Sequence, residues 1–147
     1  MKVVIQRSKE SKVLIADKEY SRINHGYVIL VGICKDDTID DVLYITKKII
    51  NLRVFSDNEG KLNKSILDIN GEILLVSQFT LYADTKKGNR PSFTEAMQYD
   101  LANDLYEELI NNLEKYVSVK TGCYGEDMNV MINNDGPITI IIDSKNK

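Results

Sequence analysis

Histidine occurs once and cysteine twice in 147 residues, and each scarcity removes a class of chemistry. The one histidine, His25, stands in Asn24-His25-Gly26, which reads as a hairpin turn, so a Ser-His-Asp triad is hard to assemble. Cys34 and Cys123 lie far apart and form no C-x-x-C pair; in a cytosolic protein they are not expected to form a structural disulfide. A zinc site needs about four Cys, His or carboxylate ligands. No cluster supplies them, so neither a metal nor a cofactor is expected. Catalysis then falls to hydroxyls, carboxylates, backbone groups or the substrate itself.

Long apolar runs are also missing. None approaches the roughly 20 residues that span a bilayer, so no membrane partner is expected. The N-terminus turns polar at its sixth residue, unlike a signal peptide. Both observations predict a cytoplasmic protein. Arginine is scarce beside lysine, isoleucine and asparagine, which reads as genomic base composition and not as function. A net charge of −3 argues against non-specific nucleic-acid binding but leaves room for a local basic patch. With 43% hydrophobic and 28% charged residues, and no linker or repeat, residues 1–147 are expected to form one soluble domain.

What is present is mostly strand. Lys2–Arg7, Ser11–Ala16, Glu19–Ile23 and Tyr27–Ile33 predict strands, the last two joined by Asn24-His25-Gly26. Thr38-Ile39-Asp40-Asp41 carries a hydroxyl N-cap and first-turn acids, and helical spacing continues to about Leu52. Asp57–Gly60 reads as a turn. Glu72–Phe79 predicts a buried strand. Met97, Leu101, Leu105, Leu109 and Leu113 step by four and predict a second helix from about Ser92 to Leu113. Val117–Thr121, Asn129–Asn133 and Ile138–Asp143 complete the strands. The pattern predicts an α+β fold, a mainly antiparallel sheet closed or covered by two helices.

Three segments carry polar groups at strand ends. Ser77-Gln78-Phe79-Thr80 follows the apolar run Ile73–Val76; its hydroxyls either satisfy nearby backbone or serve with N–H groups as oxyanion donors or a nucleophile. Asn133-Asn134-Asp135-Gly136-Pro137 reads as a turn between strands. An X-Pro bond is cis in about 5–6% of folded cases, and in that state it fixes two successive carbonyls in direction. Lys86-Lys87-Gly88-Asn89-Arg90-Pro91 is either a solvated loop or a phosphate-contacting patch.

These segments, with Gln6-Arg7, Asn51–Phe55, Arg90–Phe93, Thr121-Gly122, Gly125, Asp127-Met128 and Asn134–Thr139, give the chain a full-length resemblance to the D-aminoacyl-tRNA deacylases, also called D-tyrosyl-tRNA deacylases. The resemblance implies a homodimer of compact β-barrel-like subunits with outer helices. It implies hydrolysis of the ester between a D-amino acid and the terminal adenosine of tRNA. Glycyl-tRNA mischarged on tRNA-Ala is included, since glycine has no side chain to exclude. Gly136-Pro137 would be cis and would reach into the partner's pocket, its carbonyls standing where an L side chain must go. Arg7 would hold that element, and Met128 would belong to the same substrate-selecting group. Ser77, Gln78, Phe79 and Thr80 would form the catalytic floor, while Lys86, Lys87 and Arg90 would bind tRNA. Asn89 departs from the family pattern, in which many relatives carry a basic residue there.

Thr80 matches a residue with two assignable roles, nucleophile or pocket wall. No base lies near it in sequence, which favours the N–H groups of Phe79 and Thr80 as oxyanion donors, with the substrate's ribose hydroxyl assisting. Phe79 would stack on the adenine. Two other readings are a non-catalytic RNA-binding module on the same fold and a deacylase for L-alanyl esters. Both predict loss or alteration of Ser77–Thr80 or Gly136-Pro137, and both motifs are intact here.

Overall fold

The computed structural model describes residues 1–147. In chain order it contains β1 (Lys2–Ser8), β2 (Ser11–Ile15), β3 (Lys18–Ile23), β4 (Gly26–Gly32), α1 (Ile39–Asn51), β5 (Phe55–Ser56) and β6 (Leu62–Lys64). There follow β7 (Glu72–Ser77), a 3₁₀ turn (Phe79–Tyr82), α2 (Tyr99–Glu114), β8 (Ser118–Thr121), β9 (Asn129–Met131) and β10 (Asn134–Asp143).

The main sheet has the order β10-β1-β4-β7-β8. β1 runs antiparallel to both of its neighbours, β10 and β4, whereas β7 and β8 run parallel to β4. The parallel pairs arise because helices intervene. Parallel neighbours need a crossover of a dozen or more residues, which α1 provides before β7 and α2 before β8.

Alternation sorts the strands onto two cores. Val3 and Ile5 of β1, Tyr27, Ile29 and Val31 of β4, and Ile73 and Leu75 of β7 face α1 and α2. The opposite residues Val28, Leu74 and Val76 are covered by a small sheet of order β3-β2-β9 through Val13 and Ile23. The result is three layers: helices, main sheet, small sheet. Burial of each such aliphatic side chain stabilises the fold by about 1.5–3 kcal/mol, so the central strands form a rigid base for whatever their ends carry.

Five expectations change. Asn24-His25-Gly26 is no hairpin turn, because β3 pairs with β2 and β4 with β1, in different sheets. The sheets do not close into a barrel; β10 and β8 remain free edges of the main sheet. α2 begins at Tyr99, not Ser92. The preceding residues are committed elsewhere: Ser92 pairs with Asp84 in both directions, Lys35 N–H donates to Glu95, and Met97 N–H donates to Ile33. β7 ends at Ser77, because Gln78 N–H turns back to Val31 O (2.7 Å) and the chain enters the 3₁₀ turn. Gly136-Pro137 is not an inter-strand turn but an irregular part of β10. No helix is long and apolar enough to cross a membrane.

Candidate functional site

A cavity of about 460 Å³ opens at the C-terminal end of β7. Its floor is Ser77, Gln78 and Phe79. One wall is Met97, just before α2, with Tyr99 and Ala102 of its first turn; the other is the loop Gly125–Met128. The floor is held from below, since Val31 of β4 is the sheet neighbour of Ser77 and also accepts the Gln78 N–H. The Gln78 amide donates to Thr80 Oγ1 (2.5 Å), and Leu81 N–H closes the turn on Gln78 O (3.2 Å). The N–H groups of Phe79 and Thr80 find no acceptor within the chain. Such orphan donors are what the first turn of any helix leaves over. Phe79 is 58% exposed and packs edge-on against Phe93 with ring centroids 5.0 Å apart. Met128 lies against Gly122, where an added Cβ would meet its sulfur at 2.6 Å.

Four of the expected site residues thus meet the cavity: Ser77, Gln78, Phe79 and Met128. Thr80 stands beside it in the 3₁₀ turn, with its hydroxyl bound to Gln78. No imidazole is near. His25 stands at the opposite end of β7, where its carbonyl accepts the Glu72 N–H (2.9 Å), and five residues of strand put it about 16 Å from Ser77.

The second motif lies elsewhere. Along the β1–β10 ladder, Gln6 pairs with Thr139 and Ser8 with Asn134, so Arg7 alone faces the four residues Asp135–Ile138. The excess chain bulges outward and exposes Gly136 and Pro137. Asn134 clamps the base of the bulge, its amide donating to Thr139 Oγ1 (2.9 Å) and its carbonyl oxygen accepting Ile138 N–H (3.1 Å). Arg7 ties the bulge to the body. Its Nε meets both the carbonyl (3.2 Å) and carboxylate (3.1 Å) of Asp135, and its Nη1 donates to Val54 O (2.9 Å). The Gly136-Pro137 peptide is cis, and Gly136 has φ +124°. A Cβ there would press on Ile138 (2.9 Å) and Arg7 (3.2 Å).

The two motifs do not meet within one chain. The bulge is level with the Arg7–Tyr27–Ile73 row, four residues along and three strands across from Ser77, a separation of about 20 Å at ~3.3 Å per residue and ~4.8 Å per strand.

Lys86, Lys87 and Arg90 share an exposed loop closed by the Asp84–Ser92 pair. Lys86 N–H also donates to Asp84 Oδ1 (2.9 Å), but none of the three cations forms an ion pair. Sequence reasoning missed Tyr99 and Tyr124 as cavity residues. Tyr99 sits off the leucine stripe of α2, and only the flanking glycines Gly122 and Gly125 hinted that Tyr124 belongs to a shaped loop.

The fold gives the class first. A solved chain described as "Structural Analysis of a probable eukaryotic D-amino acid tRNA deacylase" superimposes with a TM-score of 0.82 over 96% of this chain and 97% of its own, at 17% identity, a likeness of fold. Another, described as "c-Myc DNA Unwinding Element Binding Protein", is 40% identical with a TM-score of 0.93, over 97% of this chain and 98% of its own. The protein is therefore a mixed α+β protein of the deacylase architecture, two helices packed on sheets that do not close. The sequence model of the D-Tyr-tRNA(Tyr) deacylase family matches residues 4–143, and the chain belongs to that family. Its members are hydrolases acting on the ester bond of aminoacyl-tRNA.

Proposed function

We propose that residues 1–147 act as one domain, in the cytoplasm, hydrolysing D-aminoacyl-tRNA and glycyl-tRNA while sparing L-aminoacyl-tRNA, and that the working unit is a homodimer. The observation that carries this reading is the floor Ser77–Thr80, with two unpartnered N–H groups beside a cavity of nucleoside size. An aminoacyl ester is already activated. Water adds to the acyl carbon, the charge that develops on the carbonyl oxygen is met by the Phe79 and Thr80 N–H groups, and the ribose oxygen leaves with the proton that water gives up. The neighbouring ribose hydroxyl assists that transfer. One such donor is worth about 10²–10³ in rate. In this scheme Thr80 Oγ1, engaged by Gln78 and without a base, stands beside the pocket and does not act as the nucleophile. The terminal adenine stacks on exposed Phe79, and Lys86, Lys87 and Arg90 meet acceptor-strand phosphates.

Chiral selection falls to Gly136-Pro137, held by Arg7. Main-chain oxygens on a braced bulge yield less than side chains, so the wrong enantiomer meets a clash and not merely a weaker contact. Because the bulge is about 20 Å from the floor of its own chain, it serves the floor of a second copy. The surface for that copy is at hand: β10 is a free edge, and Ile141, 66% exposed, lies four residues beyond Pro137 on the same strand. The side chain of the amino acid stays outside the discrimination, so D-substrates are broad.

The name of the 40% identical relative speaks of DNA binding. Here the net charge of −3 and three unpaired cations in one loop fit a short acceptor end better than a duplex. The test is release of tyrosine from D-tyrosyl-tRNA with L-tyrosyl-tRNA as control. Rapid loss of the D-ester alone is expected; no cleavage, or equal cleavage of both, refutes the reading.

A further inference from the structure

The wall of the cavity formed by Gly125–Met128 is a loop, and a loop wall defines a site only if something holds it. Two tyrosines do so. Tyr99, the first residue of α2, donates its hydroxyl to Tyr124 O (3.3 Å), and Tyr124 donates its hydroxyl to Tyr99 O (3.4 Å). Their rings meet edge to face at 4.9 Å and 62°. The pair is thus reciprocal: each side chain caps the other's backbone. Gly125 shows how close the fit is. Its φ is +80°, and an added Cβ would lie 2.4 Å from the Tyr99 hydroxyl.

The clasp is continuous with the floor. Tyr124 packs on Tyr106 (5.3 Å), and Tyr106 donates to Leu75 O (2.8 Å), the same carbonyl that accepts the Gly122 N–H (3.0 Å). Leu75 is two residues from Ser77 on β7. Tyr99 and Tyr124 also line a neighbouring groove of about 430 Å³ that carries Asp100, Asp104 and Glu107. The clasp therefore stands as a partition, with the reaction cavity on one side and an acidic groove, hostile to RNA phosphates, on the other. Tyr99 remains 60% exposed at this boundary. Burial, with the charges of Tyr99 and Asp100 adding, raises the Tyr124 phenol above its ordinary range, so it stays a donor.

We propose that Tyr99 is a positioning residue of the deacylase site: through its reciprocal clasp with Tyr124 it fixes the Gly125–Met128 wall, and so the seat of the terminal nucleoside, while the reacting ester is handled by the floor. The proposal rests on the hydrolase reading above and makes a different demand. A wall that seats substrate without touching the ester affects KM more than kcat. Tyr99→Ala is expected to raise KM for D-tyrosyl-tRNA about tenfold with kcat changed less than about twofold, and Tyr99→Phe, which keeps the ring and the Tyr124 donor, is expected to restore most of the loss. Amide hydrogen exchange of the unliganded protein reads the clasp directly: residues 125–128 should exchange faster in Tyr99→Ala than in wild type while β4 and β7 do not. A folded Tyr99→Ala with unchanged KM, or a loss that falls on kcat alone, overturns the positioning role. Unchanged exchange at 125–128 overturns the clasp whatever the activity. A wild-type protein that leaves D-tyrosyl-tRNA intact refutes the hydrolase reading instead, and the exchange experiment still judges the clasp.

Discussion

Replacing Arg7 with methionine removes the strut behind the Gly136-Pro137 bulge while keeping much of the side-chain bulk. Arg7 is 12% exposed and makes a charge-assisted contact with Asp135 plus a hydrogen bond to the carbonyl of buried Val54. Hydrogen bonds involving a charged group contribute about 1.5–3 kcal/mol each. Asp135 is 27% exposed and keeps Lys9 at 3.5 Å, so solvent and a second cation offset part of the first loss. About 3 kcal/mol for the whole tether is a reasonable scale. At 1.4 kcal/mol per factor of ten, the displaced bulge becomes about 100-fold more populated. Cleavage of L-tyrosyl-tRNA, which waits on that displacement, should rise in proportion, while cleavage of D-tyrosyl-tRNA should change less than about tenfold. The ratio of D to L initial rates is then expected to fall by a factor of about 10–1000. Arg7→Lys retains the charge but not the geometry that reaches both Asp135 and Val54, and should lie between. The assay is the rate ratio at a temperature where circular dichroism shows each variant folded. A folded Arg7→Met whose ratio stays within about twofold of wild type would refute the reasoning.

The other expectations are shorter. Thr80→Ala should keep rates within about tenfold of wild type, since backbone donors and the ribose hydroxyl remain; loss of all turnover in a folded, substrate-binding variant would make Thr80 the nucleophile. Ile141→Asp on the free edge of β10 should yield a monomer by analytical ultracentrifugation and lose D-specific turnover, and a fully active monomer would sink the cross-subunit arrangement. Asp41 predicts acid sensitivity. Burial alone would raise its carboxyl, but hydrogen bonds from Lys145, Ser144 and Thr38 outweigh burial and hold it well below the usual range. A depressed folded value means its contribution is complete above the unfolded value of about 3.9 and is lost as pH falls below that. The melting temperature should therefore drop on acidification below about pH 4, and Asp41→Asn should flatten that drop; an unchanged acid slope would show that Asp41 is not its source.

Much of this was legible because local chemistry and tertiary structure agree. Thr38 and Asp41 form the capping box that starts α1, as the hydroxyl and acids implied. The apolar run Ile73–Val76 is buried on both sides because both layers need it. Misreadings occur where distant partners override periodicity. Met97 continues the leucine stripe of α2, but its N–H belongs to Ile33, so the helix waits for Tyr99. Asn134–Pro137 has turn composition, yet pairing of Ser8 with Asn134 draws it into β10 as a bulge. At the site, Ser77, Gln78, Phe79 and Met128 line one cavity. The Tyr99–Tyr124 clasp could not be read at all, since it depends on how the loop after β8 meets the first turn of α2.

The distance between floor and bulge bears on why such a site would be divided. A hydrolase that acts on an already activated ester needs little machinery, and a floor of two N–H groups would cleave L-esters as readily as D-esters. The hazard lies in an ungated floor, because L-aminoacyl-tRNA is the abundant species. If floor and gate were adjacent in one chain, any local opening of a loop would expose the floor alone. In the arrangement proposed here the gate is a bulge of an interior-braced strand, tied by Arg7 and Asn134 and carried by the edge that seats the second copy. Association then brings gate and floor together in one step, and stabilising the interface also stabilises selectivity. Dilution should therefore cost activity without producing a promiscuous enzyme only if the adenosine seat also depends on the partner; if the seat is complete in one chain, as the Tyr99–Tyr124 wall suggests, the isolated subunit should cleave both enantiomers weakly and without preference.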